Sequence, residues 1–270
     1  CLSFDASGDF STTEIYRFEN NKIIFLDKVT YPHSIGVFYQ ALTQSLGFKD
    51  YGDEYKIMGL SAYGNPNYVN QVKKLINFDK YNGRFELNLK YFVHQNLNFS
   101  NLSMGAPIFE NLYRNTLDEL LGGARYPNEQ INQRHKDIAK SIQLVFEEIL
   151  FKILNFWNKQ YNYKNLCLSG GCALNSLANG KIIDNTSFKN IYIPVTPGDA
   201  GGGIGSVFSK NLKNFEMNNS FLGTQYTNEE VKKLIDTKFN ILKTRKIEVH
   251  FYDKFDDLTN FCSDEIKNSK

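Results

Sequence analysis

Twice in this chain a short apolar run stops at a glycine-rich turn and passes into a helix-forming stretch. Asn165-Leu166-Cys167-Leu168 leads into Ser169-Gly170-Gly171, and Ile191-Tyr192-Ile193-Pro194-Val195 leads into Thr196-Pro197-Gly198-Asp199. Short apolar runs of this kind are strands buried in the middle of a sheet, and helices that follow them return the chain to a parallel neighbour. Residues 172–183 and 200–212 are read as those helices. Upstream, residues 2–4 end a buried strand, and Asp5-Ala6-Ser7-Gly8-Asp9 is read as a turn. Residues 12–18 alternate polar and apolar, Glu19-Asn20-Asn21-Lys22 reverses the chain, and residues 23–30 form a third strand. The order is therefore a three-stranded antiparallel meander, then alternating helices and strands. It predicts an α/β fold of ribonuclease-H-like layout, the half-unit of actin-like ATPase domains.

The helices have legible boundaries. Ser34 is placed to cap a helix in which Ile35, Phe38, Leu42 and Leu46 recur at helical spacing, with Gly47 as the stop. Gly52 to Leu60 reads as a short helix. Residues 130–160 carry the strongest pattern, with Ile138, Ile142, Val145, Ile149 and Ile153 on one face, widened by Phe146 and Leu150 into a largely buried helix. Thr227 and Glu230 form a capping box for residues 228–238, residues 247–252 are read as a strand, and the last residues as a helix. Between residues 67 and 130 the pattern is less regular: a helix over 69–76, a turn at Asn82-Gly83 before a strand over 84–89, then Asn-rich stretches, Gly105, Pro107 and Gly122-Gly123. This reads as an insertion. The organisation expected is 1–66 with 131–215 as one domain, 67–130 inserted in it, and 216–270 as the start of a linker or further domain.

Composition narrows the function classes. Lys and Arg number 31 against 29 Asp and Glu, for a net charge of +2. That balance lacks the basic footprint of a nucleic-acid binder. No apolar run approaches a membrane span. The four cysteines, Cys1, Cys167, Cys172 and Cys262, form no C-x-x-C pair and read as reduced thiols of a cytoplasmic protein.

Chemistry concentrates at the strand ends. Glycines at a strand-to-helix turn let the backbone approach a ligand, and free N–H groups at a helix start favour phosphate. One such loop is explained by tight packing alone. Two, opening at the same sheet edge, favour ligand binding. Neither matches a P-loop or a dinucleotide fingerprint. Asp5 and Asp199 end strands that face one cleft, and two carboxylates there can bind a cation, although spacing alone favours turn capping. Lys56 can meet a phosphate or carboxylate with Glu54 orienting it, or simply pair on the surface. His33 opens a helix, and no H-x-x-x-H or H-E-x-x-H motif occurs.

Tyr31-Pro32-His33-Ser34-Ile35-Gly36, Gly52-Asp53-Glu54-Tyr55-Lys56-Ile57-Met58-Gly59-Leu60-Ser61-Ala62-Tyr63-Gly64, Leu168-Ser169-Gly170-Gly171-Cys172-Ala173-Leu174-Asn175 and Asp199-Ala200-Gly201-Gly202 together resemble the nodulation-type O-carbamoyltransferases. The resemblance runs in the same order over most of residues 1–225, and the Gly-Asp-Glu-Tyr-Lys block is its most specific part. It implies that carbamoyl phosphate and ATP, with Mg, form a carbamoyl-adenylate, and that the actin-like domain passes the carbamoyl group to a hydroxyl of a small-molecule or glycan acceptor. It implies a divalent metal, iron in much of the family, on Asp5 and Asp199. Ser169, Gly170, Gly171 and Asn175 would cradle the adenylate, with Gly201 and Gly202 near its phosphate, and Lys56, Glu54 and His33 would be catalytic. The family's H-x-x-x-H helix and adenylate-forming domain match nothing here, so the chain is expected to be one part of the enzyme, inactive alone. A second copy of the chain is a candidate partner. The glycine loops also resemble threonylcarbamoyl-transferring tRNA-modification proteins, and a non-catalytic nucleotide-binding module of actin type is the third reading.

Overall fold

In the computed structural model, which describes residues 1–96, 102–103, 106–107, 110–209, 221 and 223–268, Asn20 and Asn21 both adopt positive φ, 50° and 56°. A two-residue turn of this hand matches the twist of the strands that it joins. It closes the hairpin between β2 (Ser11–Glu19) and β3 (Lys22–Thr30), with Glu19 opposite Lys22. β1 (Leu2–Gly8) pairs antiparallel with β2, so the meander forms. One expectation shifts here: Asp5 lies inside β1, where the register breaks between Phe4 and Gly8, and the turn comes later, at Asp9 and Phe10.

The chain then forms α1 (Ile35–Ser45) and α2 (Glu54–Leu60). The Ser34 side chain accepts from Val37 N–H, as an N-cap should. α1 is buried on every side. Gly36 is required where it crosses β1, because a Cβ there would sit 2.6 Å from the Ala6 Cα. The expected helix over 69–76 is only α3 (Val69–Val72) and one 3-10 turn. Ile76 already belongs to β4 (Ile76–Asp79), paired with Leu87 of β5 (Arg84–Leu87). Two short strands, β6 (Leu102–Ser103) and β7 (Ala106–Pro107), and α4 (Asn115–Leu121) follow. Gly105 and the neighbouring Asn-rich residues 97–101 lie outside the described residues except where a strand is assigned. Phe85, Phe92, Leu112, Leu117 and Leu121 are buried in the same core as the sheet. The 67–130 segment therefore shares the core of the domain that it interrupts.

α5 (Gln133–Tyr161) starts at a capping box between Asn132 and His135. Its Phe146 ring stacks on Phe4 of β1 and meets Tyr39 of α1 edge-on, 5.4 Å between centroids. Full burial of such a ring contributes roughly 1.5–3 kcal/mol. β8 (Asn165–Ser169) pairs parallel with β1, and β9 (Asn190–Tyr192) parallel with β8. The sheet order is β3-β2-β1-β8-β9, a mixed five-stranded sheet. β9 stops before the expected Val195, since Pro194 has no N–H to give the ladder. The single helix expected over 172–183 is instead a 3-10 turn (Gly171–Leu174), α6 (Ser176–Asn179) and α7 (Ile182–Asn185). The Asn175 side chain caps α6 and so breaks the run. α8 (Gly201–Ser209) follows β9, and positions 210–212 lie outside the described residues.

Clustering of contacts divides the chain into Cys1–Asn214 and Phe215–Lys270. The second unit holds α9 (Asn228–Thr244), capped by Thr227 and Glu230 and longer than expected, and α10 (Phe255–Asn268). Residues 247–252 form no strand; among the described residues of that unit no strand lies beside them for the alternation to pair with. No helix among the described residues is long and apolar enough to cross a membrane.

Candidate functional site

Because β1, β8 and β9 are parallel and adjacent, their carboxyl ends share one edge of the sheet. The turns after β8 and β9 touch there: Gly170 N–H donates to Pro197 C=O at 2.6 Å. Asp5, from the irregular end of β1, reaches the first turn. Its Oδ2 accepts from Gly171 N–H and its Oδ1 from Ala6 N–H, both at 2.7 Å. The Ser34 hydroxyl donates to the Asp5 carbonyl at 3.0 Å while capping α1. One serine thus ties the start of α1 to the strand end that carries the carboxylate.

The glycines divide into two kinds. Gly170 has φ +89°, and a Cβ there would fall 2.1 Å from the Phe4 carbonyl oxygen. At Gly171 it would fall 2.9 Å from Asp5 Oδ1, and at Gly201 2.2 Å from the Thr196 carbonyl oxygen. Gly170 and Gly201 are demanded by backbone packing, whereas the neighbour at Gly171 is the Asp5 carboxylate. Gly202, Gly203 and Gly205 would meet nothing within 4 Å among the described residues. Their missing side chains leave space at the first turns of α8, although the Gly201 and Gly202 N–H groups already donate to the Gly198 and Asp199 carbonyls at 2.9 Å.

Asp199 is exposed beside that helix start. No contact joins it to Asp5 among the described residues, but both act on Tyr51. Burial raises the Tyr51 phenol above its ordinary range, and the charges of Asp199, Asp5 and Glu54 add to the rise. Burial likewise pushes the Cys172 thiol well up, with Asp5 and Glu54 adding to it. Three carboxylates from three segments therefore share one neighbourhood. Glu54 is itself raised by burial, with Asp53 adding to the shift against the Glu54 backbone N–H.

The remaining expected residues have other partners. Lys56 pairs with Asp53, 2.6 Å away, so Glu54 does not orient it. On a helix, positions three apart face each other and positions two apart do not. His33 Nδ1 accepts from Leu87 N–H at 3.0 Å and so fastens β5, without a described contact to the three carboxylates. Asn175 is also engaged by the protein: its Oδ1 accepts from Ala178 N–H, and its amide pairs reciprocally with Gln143. It shapes the turn. Ser169 closes β8 opposite Ser3 of β1. Sequence reading missed Tyr51, Cys172 and Gln143 as members of this region. The signal for Gln143 was available, since Gln143 and Glu147 are two polar residues four apart on the apolar side of α5, both buried.

The implied metal and nucleotide can be tested against these residues. The Asp5 oxygens each accept one N–H and keep a lone pair for a cation. Among the described residues, no group of three His, Cys, Asp or Glu is close enough to hold a metal. Asp5 alone offers free lone pairs at this edge, and no described contact brings Asp199 to it. Gly202 and Gly203 leave room beside α8, with the Gly202 N–H bonded to the Asp199 carbonyl.

Residues 1–208 match the family model described as Carbamoyltransferase N-terminus. An uncharacterized protein of Synechocystis is 37% identical over 243 residues, which is 86% of this chain and 37% of the relative. Nodulation protein NolO of Bradyrhizobium diazoefficiens is 29% identical over 207 residues, 76% of this chain and 33% of the relative. Nodulation protein NolNO of Sinorhizobium fredii is 26% identical over 209 residues, 76% of this chain and 27% of the relative. The chain thus spans well under half the length of these curated relatives.

Proposed function

The chain belongs to the carbamoyltransferase N-terminus family, and from that premise we propose that it contributes the transfer site of an ATP-dependent O-carbamoyltransferase. The donor would be carbamoyl phosphate, activated as a carbamoyl-adenylate, and the acceptor a hydroxyl of a sugar-like or secondary-metabolite molecule. We read the fold as a ribonuclease-H-like half of an actin-like domain, formed by 1–66 and 131–215 with 67–130 inserted; the strand order β3-β2-β1-β8-β9, antiparallel only at β2, supports it. Residues 216–270 are read as the start of a following segment, in line with the division at Asn214 and Phe215.

One observation carries the reading: Asp5 and both glycine turns meet at a single sheet edge, through Gly171 N–H on Asp5 and Gly170 N–H on Pro197. The phosphate of the adenylate would lie near Gly202 and Gly203 at the N-terminal end of α8, favoured by the helix dipole, with the Gly202 N–H already given to the Asp199 carbonyl. In the transfer step the acceptor oxygen forms a bond to the carbamoyl carbon. The bond from that carbon to the phosphate oxygen breaks, and AMP leaves with the electron pair. The hydroxyl proton passes to Glu54, the half-buried carboxylate that burial has made a better base. A metal held by Asp5, Asp199 and ligands from elsewhere would polarise the carbamoyl carbonyl. Lys56 is paired with Asp53 and His33 Nδ1 with Leu87 N–H, and no part of this step is assigned to either.

The test uses the full-length protein with ATP, carbamoyl phosphate and a panel of hydroxyl acceptors. Acceptor-dependent release of AMP together with a carbamoylated product is expected. Asp199→Ala should lower both, along with metal content. Full activity in that variant with unchanged metal content would remove Asp199 from the site.

A further inference from the structure

Gln143 lies mid-way along α5 and is 1% exposed. One turn away on that face lie Ala139 and Phe146, both apolar, and the buried Glu147. An amide side chain has two donors and two acceptor positions, and here all four are used. Nε2 donates to Glu147 Oε1 at 2.8 Å and to Asn175 Oδ1 at 2.9 Å. Oε1 accepts from the Tyr39 hydroxyl at 2.9 Å and from Asn175 Nδ2 at 3.0 Å. Glu147 is held in turn by Lys181 Nζ, 2.7 Å from both of its oxygens. Asn175 cannot invert its amide without losing the Ala178 N–H that caps α6. The orientation of every member is therefore determined by the others.

Asn175 also closes the 3-10 turn Gly171–Leu174, its own N–H donating to the Cys172 carbonyl at 3.1 Å. That turn begins with the Gly171 N–H that meets Asp5. We propose that Gln143 is the positioning residue of the glycine turn after β8. It fixes Asn175, and Asn175 fixes the turn that faces the Asp5 carboxylate. A leucine or methionine could fill the same volume, but only a fully bonded amide sets one orientation. The consequence for binding rests on the reading that this edge holds the adenylate. The placement of the turn does not.

The experiment compares full-length wild type with Gln143→Glu and Tyr39→Phe. Gln143→Glu keeps the size, removes both donors and sets a carboxylate against Glu147. Tyr39→Phe removes one bond of the four and protects the test against a variant that does not fold. Amide hydrogen exchange is followed across residues 171–175, with the β2–β3 hairpin as internal reference, and KM for ATP is separated from kcat. Gln143→Glu should speed exchange in 171–175 by about tenfold or more and raise KM for ATP by about tenfold, with kcat held within about twofold. Tyr39→Phe should move both in the same direction by a smaller factor. Unchanged exchange at 171–175 in both variants would overturn the proposal. So would faster exchange spread equally over the hairpin, because Gln143 would then be ordinary core. If wild type transfers no carbamoyl group, the functional reading falls, and the exchange contrast still decides the role of Gln143.

Discussion

The two glycine turns at the carboxyl edge of the sheet look alike in sequence and differ in what their glycines are for. After β8, Gly170 is forced by positive φ and by the Phe4 carbonyl pressed against it. After β9, Gly202 and Gly203 face nothing within 4 Å among the described residues. The first turn is built into the core through Asp5, Asn175 and Gln143. The second is an open helix start. A glycine inside a packed turn reports the protein's own geometry, and a glycine facing open space is the one that leaves room for a ligand.

Substitution can break this contrast, and the largest effect is expected at Gly170. Gly170→Ala adds a Cβ that overlaps a backbone oxygen at a positive φ, so we expect a loss of about 3 kcal/mol or more in a urea melt. A loss under about 1 kcal/mol would mean that the turn yields easily. Asp5→Asn comes next. Asn offers one oxygen where two N–H groups are now served, so the amide end meets a donor. A loss of about 1–3 kcal/mol is expected, read from the same melts. Gly202→Ala should do the opposite to stability. Without a clash, alanine in the first turn of α8 should be neutral or stabilising by up to about 1 kcal/mol. In the full-length protein it should nevertheless weaken ATP binding, by about tenfold, or 1.4 kcal/mol, in a calorimetric titration. Equal affinity there would detach the open glycines from the nucleotide.

The smallest effect concerns Glu54, which shares Tyr51 and Cys172 with Asp5. Burial raises its carboxyl above the usual glutamate range, so the folded state binds the proton more tightly than the unfolded state. The stability this brings is complete below the unfolded value and is lost as pH rises through the folded one. Gln cannot ionise. Glu54→Gln should therefore be more stable than wild type near neutral pH, and the gain should vanish toward about pH 4, where wild type is protonated as well. Midpoints of urea unfolding at the two pH values check this. A simultaneous loss of turnover would mark Glu54 as a group whose function costs stability.

Much of this edge was legible from residues alone. The apolar run before Gly170, the Asn20-Asn21 reversal and the Ser34 cap lie where local pattern placed them, and the run before Gly198 forms a strand cut short at Tyr192. The errors share a cause. Residues 172–183 carry a helical pattern, yet Asn175 prefers to cap α6 and to pair with Gln143, a residue 32 positions away. Lys56 and Glu54 look like neighbours in the sequence, yet the helix turns Lys56 to Asp53. His33, catalytic by resemblance only, gives its Nδ1 to the backbone of β5.

The sequence by itself determined which segments become strands and turns and where glycine and carboxylate stand, because dihedral preference and apolar period act over a few neighbouring residues. Only the tertiary structure decided what those groups meet. Asp5 and Gly171 are 166 residues apart and 2.7 Å from contact atom to contact atom. Contacts of that range depend on how parallel strands align and on which side chains fill the space between them, and no local pattern carries that information.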